Sequence, residues 1–150
     1  MPEYGPLAIG PVIDRLTAQV SALRFVGGAA DLEAAQRERA PATPAAYVLL
    51  SNDRPGSVTT STQRFRQQVT GAIGVITAVR DYRVSERGAG AADDIESILA
   101  AQRAALLGWI HPQSNRTPMR LGGQGRLLSY RNAVVWWQDI YQADYTITNV

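Results

Sequence analysis

Cysteine is absent from the 150-residue chain, which excludes thiol nucleophiles, disulfides, zinc knuckles and iron–sulfur clusters. Lysine is absent as well, and all fifteen basic side chains are arginine. Schiff bases, Ser–Lys dyads and the phosphate-binding lysine of a P-loop are therefore ruled out. His111 is the single histidine, so any catalysis would have to run on carboxylates, tyrosines, arginines and one imidazole. A strong charge of one sign is also missing. Fifteen arginines stand against thirteen acids, for a net charge of +2. A dedicated nucleic-acid binder shows a clustered basic surface. Here Arg37 and Arg39 lie beside Glu33 and Glu38, and Arg80 and Arg83 flank Asp81, so DNA can pass nearby but tight binding is not expected. No apolar run reaches the ~18 residues of a membrane span. The start, Met1 to Pro6, has neither the basic nor the apolar region of a signal peptide, so the expectation is a soluble protein retained in the cell that makes it. No cofactor and no metal are expected.

What is present reads as one domain over residues 1–150, with 45% apolar and 19% charged residues. Ile9, Val12, Ile13, Leu16, Val20 and Leu23 recur on one face of a helical period, predicting a helix over Ile9–Leu23 with Pro11 near its start. A short strand over Leu23–Val26 and a short helix over Asp31–Arg39, capped by Asp31, follow. Ala45–Leu50 reads as a buried strand, and Ser51–Thr62 as a long polar loop around the turn signal Pro55-Gly56. Gln63 to about Tyr82 alternates, with Phe65, Gln67, Val69, Gly71 and Ile73 on one face and Arg64, Arg66, Gln68 and Thr70 on the other. A Gly/Ala turn region over Arg83–Ala92 precedes the strongest helix, Asp94 to about Trp109, with Asp93 and Glu96 as a capping box. After a loop over His111–Gly125 come a strand at Arg126–Tyr130, a turn at Arg131-Asn132, and a strand from Ala133 to about Thr148. The fold class is α+β: a mixed, mostly antiparallel sheet with two main helices packed on one face and long projecting β-strands.

The two long strands set a geometric problem. Sixteen strand residues span roughly 50 Å at ~3.4 Å per residue, whereas a domain of this size is about 40 Å across. Either the strands bend or break, or their ends project. Gly71 and Gly74 offer a bend in the first strand, and the last has no glycine or proline. Projecting ends expose unpaired backbone and call for a partner. Trp136 on one face of the last strand, and Trp137, Tyr141 and Tyr145 on the other, are residue types enriched at interfaces.

Candidate chemistry is thin. Asp93-Asp94 with Glu96 is explained by helix capping, and His111, without a neighbouring acid, by a surface or helix-end position. Gly122-Gly123-Gln124-Gly125 opens onto a strand, so it lacks the helix dipole of a phosphate cradle. The hydroxyls of Ser57–Thr62 have no neighbouring base. Arg64 and Arg66 fit either a solvated sheet face or an interface or lumen-lining face. An enzyme would have to use His111 with Asp93 or Asp139.

In this order of elements, Pro11–Val20, Thr43–Leu49, Ala104–Trp109 and Trp136–Asp139 make the whole chain resemble the tail terminator, or tail-completion, proteins of long-tailed bacteriophages. The resemblance implies a structural virion protein, made in the host cytoplasm and placed at the head-proximal end of the tail. Its implied partners are itself in a hexameric ring, the tail tube protein, the head–tail connector or stopper, and DNA passing through the lumen without sequence readout. Another connector component, a stopper or adaptor, is the alternative within the same structural class. Arg54, Pro55, Val58, Arg64, Arg66, Trp136, Trp137, Tyr141 and Tyr145 are the expected subunit or tube contacts, with Ser51–Thr62 and the strand ends reaching the partner.

Overall fold

A computed structural model describes residues 5–38, 41–80 and 89–149. Its elements are α1 (Gly10–Gln19), β1 (Phe25–Gly27), α2 (Ala29–Arg37), β2 (Ala45–Ser61), β3 (Arg64–Arg80), α3 (Ala89–Leu106), β4 (Arg120–Leu121), β5 (Arg126–Arg131) and β6 (Val134–Thr148). The expected order of elements holds, with the two-residue β4 added. The six strands form one mixed sheet in the order β1-β2-β3-β6-β4, with β5 also on β6, and only the β1–β2 pair is parallel. The α+β class and the mostly antiparallel sheet are as expected.

Alternation along β3 and β6 sends side chains to two faces, and both are covered. On one face Val69, Ile73, Val75, Tyr141, Ala143 and Tyr145 pack against Val12 and Leu16 of α1 and Ala105 and Leu106 of α3. Farther along the same face, Val79 and Val135 meet Ile95, Ile98 and Leu99 of α3. On the opposite face Tyr47, Ile76, Ala78 and Trp136 pack against Leu32 and Ala35 of the short α2. The two main helices therefore share a face, and α2 seals part of the other.

Helix ends follow local chemistry. α1 carries Pro11 in its first turn and stops at Gln19, where Val20 leaves helical geometry, four residues short of the expected Leu23. α2 starts after Gly28, earlier than expected, and Asp31 acts from inside its first turn, accepting the Gly28 N–H at 3.0 Å. α3 begins at Ala89, so Asp93 and Asp94 lie within the helix and the expected cap is not at its start. It ends at Leu106, with Gly108 at φ +81° just beyond. Most of the expected turn over 83–92 lies outside the described residues.

Three expectations about the strands change. Ser51–Ser61 is not a loop: β2 runs unbroken through it, and the chain reverses at Thr62-Gln63, where φ is +33° and +68°. Pro55 and Gly56 sit at a bulge, where β2 carries an extra residue between Pro55 and Val58. Proline is tolerated there because β2 is an edge strand and its missing N–H disturbs no second ladder. Gly71 does not bend β3, which pairs with β6 in unbroken register from Arg66 to Arg80. A Cβ there would come within 3.0 Å of Leu7 and 3.2 Å of Tyr145, so the glycine makes room for both. The last reversal is at Asn132-Ala133, both at positive φ, one residue later than expected.

Candidate functional site

Beyond Tyr47, where β1 ends its pairing, β2 has among the described residues a strand neighbour on one side only. From Leu50 to Ser61 its residues are exposed on both faces, and β3 is exposed or half-exposed from Arg64 to Gln68. β2 from Leu50 to Ser61 and β3 from Arg64 to Gln68 therefore form an exposed arm, with the last residues of β6, Thr146–Thr148, paired alongside. Twelve strand residues span roughly 40 Å. Tyr145 clasps the arm's base: its hydroxyl donates to Asp53 Oδ2 at 2.7 Å, across β3 from β6 to β2. Burial first, and Asp53 second, raise the Tyr145 pKa, so the phenol keeps its proton.

Register sorts the arm's two faces. Pro55 pairs with Val69 and Val58 with Gln67, so both lie on the face that carries Phe65. Arg54 pairs with Thr70, Thr59 with Arg66 and Ser61 with Arg64, which puts Arg54, Arg64 and Arg66 together on the other face. On that face the 114–116 turn folds against β6 and closes a cleft of about 590 Å³. Arg66, Gln68, Ser57, Thr59 and Thr146 form its arm side, and Ser114, Asn115 and Arg116 its turn side. Among the described residues no carboxylate lines it. Asp144, the nearby acid on β6, is held by Thr70 at 2.8 Å and Arg120 at 3.3 Å.

The turn is built on His111. Its Nδ1 accepts the Gln113 N–H at 3.0 Å, which leaves Nε2 to carry the proton toward the Ala8 carbonyl at 2.8 Å. His111 is fully buried rather than at the surface, and burial lowers its pKa. Ser114 donates from N and Oγ to the His111 carbonyl, at 2.9 and 2.8 Å. Asn115 then ties the turn to β6 through Asp144 O at 3.0 Å and through Thr146 Oγ1.

His111 and Asp139 are each held by other partners, and the Asp93 side chain lies outside the described residues. Both His111 ring nitrogens are engaged by Ala8 and Gln113. Asp139, 1% exposed, is held by Arg103 at 2.8 and 2.9 Å and by the Trp137 indole N–H at 2.9 Å. That carboxylate raises the Arg103 pKa, and burial raises that of the neighbouring Tyr141. Among the described residues no group of acids and histidines could hold a metal ion. No described helix is long and apolar enough to cross a membrane. Gly122–Gly125 forms the connection from β4 to β5, not a phosphate cradle at a helix start.

Of the expected contact residues, Arg54, Pro55, Val58, Arg64 and Arg66 all fall on the arm and are exposed. Trp137 is half-buried. Trp136, Tyr141 and Tyr145 are 7%, 0% and 4% exposed, so within the single subunit they pack in its own core. Covering both sheet faces consumes these aromatics: Trp136 stacks on Tyr47 at 6.1 Å under α2, and Tyr141 lies under the main helices. Sequence reasoning missed Asn115 and Arg116, which reach the cleft only through long-range pairing with β6.

The described residues carry a long exposed arm. The family model for the phage tail terminator protein matches residues 3–149, nearly the whole chain. The chain belongs to the phage tail terminator family. It is thus a structural tail component of a bacteriophage virion, as the resemblance implied. No curated protein matches the chain.

Proposed function

We propose that this terminator subunit acts without catalysis, forming a ring at the head-proximal end of the tail tube. The ring stops tube polymerisation and offers the joining surface to the head connector. The observation that carries this reading is the edge of β2 from Val48 to Ser61, which no described strand covers. A long unpaired strand edge recruits another strand, and natural proteins leave one open where a partner covers it. The opposite margin of the same sheet is different in kind: the short β4 and β5, with Leu121 and Leu127 exposed. Two unlike margins on one subunit favour head-to-tail contact, which closes into a ring when the rotation between copies permits. Pro55, Val58 and the β2 edge would meet the next subunit or the tube.

The mass of the purified protein in solution, alone and mixed with its tube protein, tests the proposal. A ring of about six copies, alone or only on tube ends, is the expected result. Deleting Pro55–Thr60 should abolish assembly while leaving the thermal midpoint within a few degrees, because these residues are exposed and outside the core. A monomer that ignores the tube, or a deletion that still caps tubes, would overturn it.

A further inference from the structure

We infer that the cleft between the arm and the 114–116 turn is a weak, sequence-independent binding site for the phosphodiester backbone of DNA. Its donor set is the one that proteins turn toward nucleic-acid phosphates: arginine forks with hydroxyl and amide side chains. Arg66 and Arg116 face the same cleft from opposite walls, and among the described residues neither forms an ion pair. A protein partner would be met by an interface with an apolar centre, whereas the described residues lining this cleft are arginine, serine, threonine, asparagine and glutamine. Arg64 and Arg54 continue the same face beyond the cleft, so the donors suit a chain of charges better than a free anion. Arg64 and Arg66, two positions apart on one strand, are roughly 7 Å apart along it, twice the ~3.4 Å axial spacing of charges on one DNA strand. The near-neutral whole chain is compatible with weak binding, because Asp144, the acid beside the cleft, is engaged by Thr70 and Arg120.

The cleft is complete within one subunit, so binding does not require the ring; only its facing a lumen rests on the ring proposal. Fluorescence anisotropy of a labelled random-sequence duplex, titrated with the full-length protein at several salt concentrations, reads the site. Arg66→Gln with Arg116→Gln should weaken binding at least about tenfold and reduce the salt slope by about two. Arg24→Gln, on the exposed segment before β1, should change neither. Inorganic phosphate at high concentration should displace the duplex. The inference is overturned by an undetectable duplex signal, by phosphate binding without duplex binding, by a double variant that binds as wild type, or by equal affinity for poly-glutamate. The mass measurement is independent, so loss of one reading leaves the other standing.

Discussion

Truncating Arg103 should destabilise the subunit more than truncating the acid it binds. Asp139 sits 1% exposed and accepts two hydrogen bonds from Arg103 and one from Trp137, whereas the Arg103 side chain is 36% exposed. Arg103→Ala leaves a buried carboxylate with only the indole N–H, the situation that costs about 3–5 kcal/mol when a buried pair is broken. Asp139→Ala leaves a guanidinium that water can reach, so its cost is the lost charged hydrogen bonds, about 2–3 kcal/mol. In a domain of this size each kcal/mol moves the thermal midpoint by roughly 2–4 °C, which puts Arg103→Ala about 6–20 °C below wild type. Urea unfolding at neutral pH measures both variants directly. Replacing the pair together, Arg103→Met with Asp139→Leu, should cost less than Arg103→Ala alone, since no charge is left buried. An Asp139→Ala loss equal to or larger than that of Arg103→Ala would refute the reasoning, because the guanidinium would then not be relieved by solvent.

His111 gives a pH signature. Burial holds its folded pKa below the unfolded value of about 6.5, so the unfolded chain takes up the proton first and stability falls as pH drops through that value. Melting curves between neutral and mildly acidic pH should show that fall in wild type and a shallower one in His111→Gln; identical slopes would reject it. Tyr145→Phe removes the clasp to exposed Asp53 and should cost about 1 kcal/mol, with faster amide exchange concentrated in the arm. Exchange unchanged in Arg54–Gln68 would show that the clasp does not hold it.

The alternating residues of β3 and the unbroken run of β6 were legible because each side chain's burial follows the strand period. The distal half of β2 was not. Pro55-Gly56 is a strong turn signal in a sequence read alone, and it is neutralised only by two facts of the fold: β2 is an edge, and it bulges there. The β-branched run Val58-Thr59-Thr60 was the available clue, and it weighed less than the proline. His111 looked solvent-bound because its partners, Ala8 O and Gln113 N, are backbone groups that no side-chain pattern reveals. The aromatics of β6 looked like interface because large amphipathic aromatics are enriched there, and the strand's pattern alone does not show what covers either face. The short α2 covers that face over Trp136, and Tyr141 and Tyr145 are on the side of the main helices. The cleft was half visible, through Arg64 and Arg66, and half hidden in a turn that meets them only in three dimensions.

The bulges in β2 do more than accommodate a proline. Each extra residue reverses which face the following side chains occupy. Ala46, Val48 and Leu50 lie on the face of the main helices. After the first bulge, between Leu50 and Asn52, Asp53 comes to that face and Arg54 leaves it. Without that extra residue Arg54 would point toward Tyr145, and Asp53 would enter the arginine face. The second bulge, between Pro55 and Val58, restores the original phase, so Val58 joins Phe65 while Thr59 and Ser61 join Arg66 and Arg64. Two one-residue irregularities thus separate charges that a regular strand would mix. The acid is tied to the phenol at the arm's base, and the arginines and hydroxyls are gathered on the face that carries the cleft. An exposed hairpin needs no such sorting to remain paired, since its ladder is indifferent to which face a charge occupies. The sorting matters only if the two faces meet different surroundings, which is what a subunit contact on one face and a polyanion on the other would require.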